Sequence, residues 1–466
     1  MKKNNQIIQT RLRAYSDKNP RALALYTLNA FHLEDIFLDT LMDQVSDQIS
    51  GFKQRDRALI HSLVYGVIRW RSYLDYIVVQ LSHRSRSKTI IPVLNILRMG
   101  LFQMLFMDRI PEHAAVNTSV DLAHLFASKY ETRFVNAILR ETIRSKDRIQ
   151  FPDESTQQFE YLSITYAYPK WLIQRWISYW GVSITKNLCD AGNQVPPIVL
   201  RTNTLLMNRS ELIENLLSNA QTISKTTHAP DGVCVSNLKI SIGKSEPFNK
   251  GMFQVQDEAA QLIGLIVSSE PGETVLDACA GRGGKTGHLA QSMNNKGSIL
   301  AVDQDKDKIN ILADEMKRLG VSIVSTRQHH WKKTLGNHLF DRVLLDAPCS
   351  GLGVIRRHPD MKWKKTKANI FQNAKKQQRL IQIIASHVKP GGKLIYCVCS
   401  LEPEETSQIV EKFLSQHTNF TIEKISNSIL ETFVNKKGYY MFRPDIHLMD
   451  GFFAVSFIRS KNDHPV

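Results

Sequence analysis

The sequence predicts three structural parts in order: an all-α helical unit, a small α+β module, and an α/β domain built on a parallel sheet. Three observations carry this. Apolar residues recur at steps of three and four through much of 20–145, which marks amphipathic helices. Residues 146–165 lose that pattern and become polar. From 251 onward, short apolar runs alternate with helical stretches, as crossover connections in a parallel sheet require.

Residues 1–19 read as an N-terminal tail. In "RALIHSLVYGVIRWRSYLDYI", Leu59, Leu63, Val67, Trp70, Leu74 and Ile77 share one helical face. "PVLNILRMGLFQMLF" opens with Pro92, a residue suited to a first helical turn. "IPEHAAVNTSVDLAHLF" and "ETRFVNAILRETI" add two more helices, so 20–145 reads as a bundle. Residues 146–165 read as a linker, with "SKDRIQFPDESTQQ" at its heart. The small α+β module spans 166–250, with a helix at "PKWLIQRWISYW", a strand at "PPIVLRTNT" and a helix at "SELIENLLS". The α/β domain spans 251–462, with strands at "TVLDACA", "SILAVDQD", "FDRVLLDAP" and "GKLIYCVCS".

The 466 residues are 42% apolar and 22% charged, with a net charge of +16. That balance is globular, and so large a basic excess points to an anionic partner, nucleic acid foremost. Six cysteines without a paired CxxC exclude a disulfide scaffold and offer no zinc site. The stretch 94–107 is the most apolar helical run, and Arg98 and Gln103 interrupt it, short of the ~18–20 residues that a membrane span needs. The opening "MKKNNQIIQT" has no apolar stretch after its lysines, so a cytoplasmic chain is expected. No membrane, no metal and a monomeric state are expected with it.

"VLDACAGRGGKTGHLA" reads as strand, glycine loop and helix. Gly284-Lys285-Thr286 matches the end of a phosphate-binding P-loop, but that motif needs glycine where Cys279 stands. A Rossmann-like nucleotide site instead wants an acid about 20 residues on, at the end of the next strand. Asp303, twenty residues beyond Gly283, fills that place. Its carboxylate can accept from both hydroxyls of a ribose. Either NAD or S-adenosylmethionine satisfies this feature.

Ligands in open α/β sheets lie beyond the carboxyl ends of the strands. The loop after "FDRVLLD" brings Asp346, Pro348 and Cys349 there, and the loop after "KLIYCVC" brings Cys399 and Ser400. Cys397 shares a strand face with Cys399 but is deeper and reads as a packing residue. A thiol on this edge suits one chemistry well. Carbon 5 of a pyrimidine is too electron-poor to attack a methyl donor. A thiolate added at carbon 6 makes it nucleophilic. An acid at the ring N3 and amino edge, a role open to Asp346, stabilises that adduct, and a second thiol can assist release. Just beyond Cys349, Arg356, Arg357, Lys362, Lys364, Lys365 and Lys367 surround Trp363. This segment is expected to hold phosphates and stack on bases.

"DACAGRGGKT", "LLDAPCSGLGVIRRHPDMKW" and "CSLEPEE" resemble the motifs of the Sun/RsmB family of bacterial 16S ribosomal RNA cytosine-5 methyltransferases. The helical part is similar to the RNA-binding factor NusB in "RDRALIHSLVYGVIR", "DRIPEHAAVNTSVDLA" and "RFVNAILR". The middle segments "YPKWLIQRW" and "PPIVLRTNT" resemble that family's small extension. The resemblance implies S-adenosylmethionine as cofactor, held by Cys279, Ala280, Gly281, Arg282, Gly283, Gly284 and Lys285, with Asp303 on its ribose. It implies Asp346 near both cofactor and base, Cys399 as the nucleophile, and Cys349 in product release. Arg282 stands where the family usually has proline, and Val398 where it has threonine. The family's acid near the adenine has no counterpart in "STRQHHWKK", so Gln328 or main-chain groups beside it are expected there. The implied substrate is 16S ribosomal RNA. The same chemistry on transfer RNA, or a non-catalytic RNA-binding assembly factor, stays open as an alternative. The helical unit is expected to add RNA affinity and no chemistry, so that a fragment starting near 160 should keep cofactor binding.

Overall fold

A computed structural model gives the fold. It describes residues 9–462 except 11, 83–88, 219, 239–241 and 333. The chain forms two compact units, one running to Gln194 and including Ile355–Lys364, the other comprising Val195–Val354 and the chain from Lys365 onward.

Helices are the only regular secondary structure among the described residues of the first unit. Helix Pro20–Leu33 starts at Asn19, whose side chain accepts from Arg21 N and Ala22 N, so the cap meets two otherwise orphaned donors. Helix Lys129–Ser145 starts with a reciprocal capping box between Ser128 and Glu131. Helix Ile91–Phe106 is buried on nearly every side from Pro92 to Gln103 and forms the centre of the bundle. Its Arg98 is therefore inside the core, and Asp75 meets it with two bonds of 2.6 and 2.8 Å.

Three expectations change here. Leu12 is fully buried in the helical core, so the expected tail contributes an anchor. The expected linker contains helix Gln158–Thr165, and its Phe151 stacks on Tyr73 and Tyr76 at centroid distances of 5.5 and 5.4 Å. The segment Lys170–Asn193, read as the start of the small module, is two helices joined at Gly181 (φ 76°) and belongs to the first compact unit.

The basic segment after Cys349 is the largest correction. Within the first unit, Lys362 is fully buried. Its Nζ donates to Arg69 O and Ala167 O at 3.2 Å and to Asn193 Oδ1 at 2.5 Å. Trp363 Nε1 donates to Ile68 O at 2.8 Å, and Asp360 Oδ2 accepts from Leu38 N at 3.1 Å. Arg356 is buried, and its carbonyl accepts from Arg69. Lys364 pairs with Asp35 at 3.0 Å. Arg356, Lys362 and Trp363 therefore serve packing, whereas Lys367 of the same segment is exposed. Burial drives the Lys362 pKa well below its ordinary value, because no carboxylate is among its three acceptors.

The second unit carries two sheets. The first comprises β1 (Ile198–Thr202), β2 (Ala220–Lys225), β3 (Gly232–Leu238) and β4 (Phe253–Val255), in the antiparallel order β2-β3-β1-β4. Leu212 and Leu216 of helix Arg209–Leu216 close one face over Leu200, Val233 and Val235.

The second sheet comprises β5 (Thr274–Asp277), β6 (Ser298–Asp303), β7 (Val324–Gln328), β8 (Phe340–Asp346), β9 (Val388–Val398), β10 (Phe420–Glu423), β11 (Tyr440–Phe442) and β12 (Phe452–Arg459). Its order is β10-β12-β9-β8-β5-β6-β7, with β11 on β12. The five strands from β7 to β9 are parallel, as the alternating pattern predicts. β12 runs antiparallel to β9 and extends the sheet. Side chains alternate between two apolar layers: Leu394, Tyr396 and Val398 enter one, Ile395 and Cys397 the other. From β5 the chain builds outward first through β6 and β7, then on the other side through β8 and β9. The crevice at the carboxyl ends of β5 and β8 is therefore the switch point where ligands bind.

Candidate active site

β5 ends in Asp277, and the glycine loop follows it. Gly281 and Gly283 take φ values of 56° and 85°, which the missing Cβ permits at little cost. The turn places Gly281 N on Asp303 Oδ2 at 3.0 Å, while Asp305 N meets Asp303 Oδ1 at 3.0 Å. Loop and strand-end acid are thus joined as the sequence predicts. Each carboxylate oxygen of Asp303 keeps acceptor capacity beyond its one backbone bond, enough for a ribose diol.

A cavity of about 240 Å³ opens beside the loop, lined by Gln256, Ala260, Asp277, Cys279, Ala280, Gly281, Arg282, Gly284, Lys285 and Asp346. Asp277 is fully buried. Thr286 Oγ1 donates to its Oδ2 at 2.7 Å, whereas Oδ1 has no hydrogen-bond partner among the described residues. Burial raises its pKa to about 7, against the Thr286 hydrogen bond, which lowers it. A buried carboxylate oxygen left open toward a cavity fits a ligand that brings an ammonium group. The amino-acid end of S-adenosylmethionine carries one, so the residues present fit that cofactor.

Opposite the loop, Lys285 Nζ donates to Asp346 Oδ2 at 2.6 Å, and Cys397 Sγ approaches Asp346 Oδ1 at 3.5 Å. Burial works most strongly against the Lys285 charge, but Asp346 together with Cys397 and Cys399 outweighs it, and the net pKa is raised. β8 and β9 are in register at Asp346 and Cys397, so the two following loops leave the sheet side by side. This brings Cys349 Sγ and Cys399 Sγ to 3.3 Å. The contact with Cys399, then burial, pushes the Cys349 thiol well up. Cys397 is fully buried, as a packing residue should be. Behind the cysteines, Gly353 N donates to Cys399 O at 3.0 Å and Gly451 N to Gly353 O at 2.8 Å. A Cβ on Gly353 would lie 2.0 Å from Gly451 O, so only glycine allows this approach.

Gln328 ends β7 opposite Asp303. It is exposed, and its Nε2 donates to Gln304 O at 3.0 Å. It does not line the cavity. Sequence reasoning missed four residues. Asp277 was signalled by its place at a strand end before a glycine loop. Trp331, whose Nε1 donates to Ala278 O at 2.7 Å, lies in the segment searched for an acid. Gln256 gave no local signal. Its Oε1 accepts from the buried Arg201 guanidinium, which also donates to Gly284 O at 2.8 Å. Glu405 was in view only as part of a motif.

A glycine loop, a ribose-position acid and an open buried carboxylate at a topological switch point define a class: Rossmann-like, S-adenosylmethionine-dependent methyltransferases. Comparison with known proteins narrows it. The family described as "16S rRNA methyltransferase RsmB/F" matches residues 265–458, the NusB family matches 18–144, and an RsmF/B-like ferredoxin-like domain matches 168–239. The "Probable ribosomal RNA small subunit methyltransferase B" of Synechocystis sp. is 34% identical over 94% of this chain and 98% of its own length. The protein of the same description from Bacillus subtilis is 32% identical over 94% of this chain and 98% of its own length. The crystal structure of PH0851 superposes with a TM-score of 0.75 at 25% identity, over 90% of this chain and 93% of that one. The chain belongs to the RsmB/F family of RNA methyltransferases, and its cofactor is S-adenosylmethionine.

Proposed function

We propose that this protein methylates carbon 5 of a cytosine in 16S ribosomal RNA through a covalent bond between Cys399 and carbon 6. The observation that carries this reading is the pair of thiols, 3.3 Å apart, at the ends of adjacent strands and beside the Lys285–Asp346 pair. The relatives' descriptions name small-subunit ribosomal RNA and supply the substrate class.

The steps follow from the residues. The Cys399 thiolate adds to carbon 6, and electron density moves toward N3 and carbon 5. Asp346 holds the amino edge of the base, and Lys285, bonded to Asp346, supplies the positive charge that meets the negative charge developing on N3. Bound S-adenosylmethionine supplies the methyl group on a sulfonium. Cys349, ionised once Cys399 is bound to carbon 6, then takes the carbon 5 proton, and the electrons of that bond close the carbon 5–carbon 6 double bond. The carbon 6–sulfur bond breaks, and its electrons return to Cys399. The base must leave its helix or start unpaired to reach these sulfurs. Asp277, Asp303 and the loop Cys279–Lys285 hold the cofactor.

The test is bisulfite sequencing of unmodified 16S ribosomal RNA incubated with purified protein and S-adenosylmethionine. One protected cytosine is expected. RNA carrying 5-fluorocytosine, which has no carbon 5 proton to lose, should accumulate a denaturant-stable adduct. Methylation at another atom, or on transfer RNA alone, overturns the reading.

A further inference from the structure

Glu405 lies in the short turn Pro403–Glu405 and is fully buried. Its Oε1 accepts from Ser350 N at 2.7 Å and its Oε2 from Ser350 Oγ at 2.6 Å. The Ser400 hydroxyl meets the Ser350 hydroxyl at 3.3 Å and accepts from Glu402 N at 3.2 Å. Ser350 follows Cys349, and Ser400 follows Cys399. The Glu405 carbonyl in turn accepts from Tyr396 OH at 2.6 Å, which fixes the turn to β9. One buried carboxylate therefore grips the residue after Cys349 directly, and through the Ser350 hydroxyl it reaches the residue after Cys399.

We propose that Glu405 is a positioning residue for the covalent chemistry, its carboxylate holding the two cysteine loops so that the sulfurs stay in contact. This rests on the cysteine roles given above. The carboxylate does not line the cofactor cavity. It acts through Ser350 and Ser400.

The charge has a second effect. Burial favours the neutral acid and outweighs the hydrogen-bond donors that favour the carboxylate, so the Glu405 pKa is raised. A carboxylate here opposes ionisation of Cys349, adding to the effects of the Cys399 contact and burial. Cys349 thus keeps its proton while Cys399 attacks. The titratable groups that bear on this are Cys399, Tyr396, Glu405 and, through Glu405, Glu402.

The test uses the full-length protein with Glu405→Gln, Glu405→Asp and Ser350→Ala. Alkylation of Cys349 and Cys399 by iodoacetamide is followed against pH by peptide mass spectrometry, which needs no RNA. Affinity for S-adenosylmethionine is measured by calorimetry, and methyl transfer in a single turnover. In Glu405→Gln the Cys349 alkylation profile should move to lower pH. Turnover should fall about 100-fold, the cost of misplaced reacting groups, with RNA KM and cofactor affinity unchanged. Glu405→Asp should restore the alkylation profile but only part of the turnover. Ser350→Ala keeps the charge and loosens the grip, so it should lose turnover even if Glu405→Gln does not fold.

Wild-type alkylation profile and turnover in Glu405→Gln, or in Ser350→Ala where Glu405→Gln does not fold, overturn the proposal. So does loss of cofactor binding together with thermal stability, which would assign Glu405 to the fold alone. If the wild-type protein methylates no cytosine, the functional reading fails, and the alkylation profiles still decide whether Glu405 controls the thiols.

Discussion

Lys285 Nζ is 2.6 Å from Asp346 Oδ2, and only 11% of the lysine side chain is exposed. The raised Lys285 pKa keeps it cationic throughout the neutral range. Lys285→Met should lower single-turnover methyl transfer about 10²–10³-fold, the range for a lost charge-stabilising donor. Lys285→Arg should not restore it, because a planar guanidinium does not occupy a point-charge site. RNA binding measured by filter retention should hardly change in either.

Asp277 titrates near pH 7 because it is buried, whereas an unfolded aspartate titrates near 3.9. Between these values the folded protein holds a proton that the unfolded chain has lost. This carboxyl therefore stabilises the cofactor-free fold less as pH rises from about 4 to 7. The cofactor's ammonium prefers the carboxylate, so affinity for S-adenosylmethionine should rise as pH passes through 7. Calorimetry from pH 6 to 8 should show this in the wild type and a flat profile in Asp277→Asn.

The Gln256 amide is oriented by Arg201, which takes its oxygen and leaves its nitrogen for the cavity. Burial lowers the Arg201 pKa to about 9, so the guanidinium stays charged near neutrality. Gln256→Glu keeps an acceptor for Arg201 and removes the donor. Affinity for S-adenosylmethionine should fall about tenfold, one to two hydrogen bonds' worth, while the melting temperature holds or rises.

The cysteine substitutions should fail in different ways. Cys399→Ala should give neither methylated RNA nor adduct. Cys349→Ala should methylate once and accumulate a stable RNA–protein adduct. Cys397→Ala, at a fully buried sulfur, should do neither and lose only packing energy. Denaturing gels with labelled RNA read all three, and an adduct that builds up in Cys399→Ala would reverse the two roles.

In the helical unit, the buried Arg98 depends on Asp75, with Asn95 Oδ1 at 2.8 Å and His32 Nε2 at 2.9 Å completing its bonds. Burial and then Arg98 lower the His32 pKa to about 3, so the imidazole is neutral. Asp75→Ala leaves a buried cation unpaired and should cost about 3–5 kcal/mol of stability, read by urea denaturation.

The ligand edge was legible because its signals are local. A glycine loop after a strand, an acid at the next strand end and thiols at two more need only periodicity and spacing. The parallel strands followed from the same alternation. The segment after Cys349 was not legible. A run of cations is usually solvated, and nothing near Lys362 in sequence shows that its acceptors are Arg69, Ala167 and Asn193. Gln256 and Glu405 escaped for a related reason. A single amide or carboxylate has no period, and each acquires a role only through partners about 55 residues away.

Leu38 and Asp360 are bonded across 322 positions of sequence. The helical unit is translated first, but its core lacks Lys362 and Trp363 until the ribosome has made most of the other unit. It therefore cannot complete its fold as an early, independent intermediate, and its last step waits for a late stretch of chain. The same dependence works in reverse. A fragment beginning near 160 keeps the glycine loop and both thiols, but it loses the Arg69 and Ile68 carbonyls that receive Lys362 and Trp363. Truncation would thus strand a buried lysine as well as remove the helices, and point substitutions on the helices are the cleaner way to test whether they add RNA affinity.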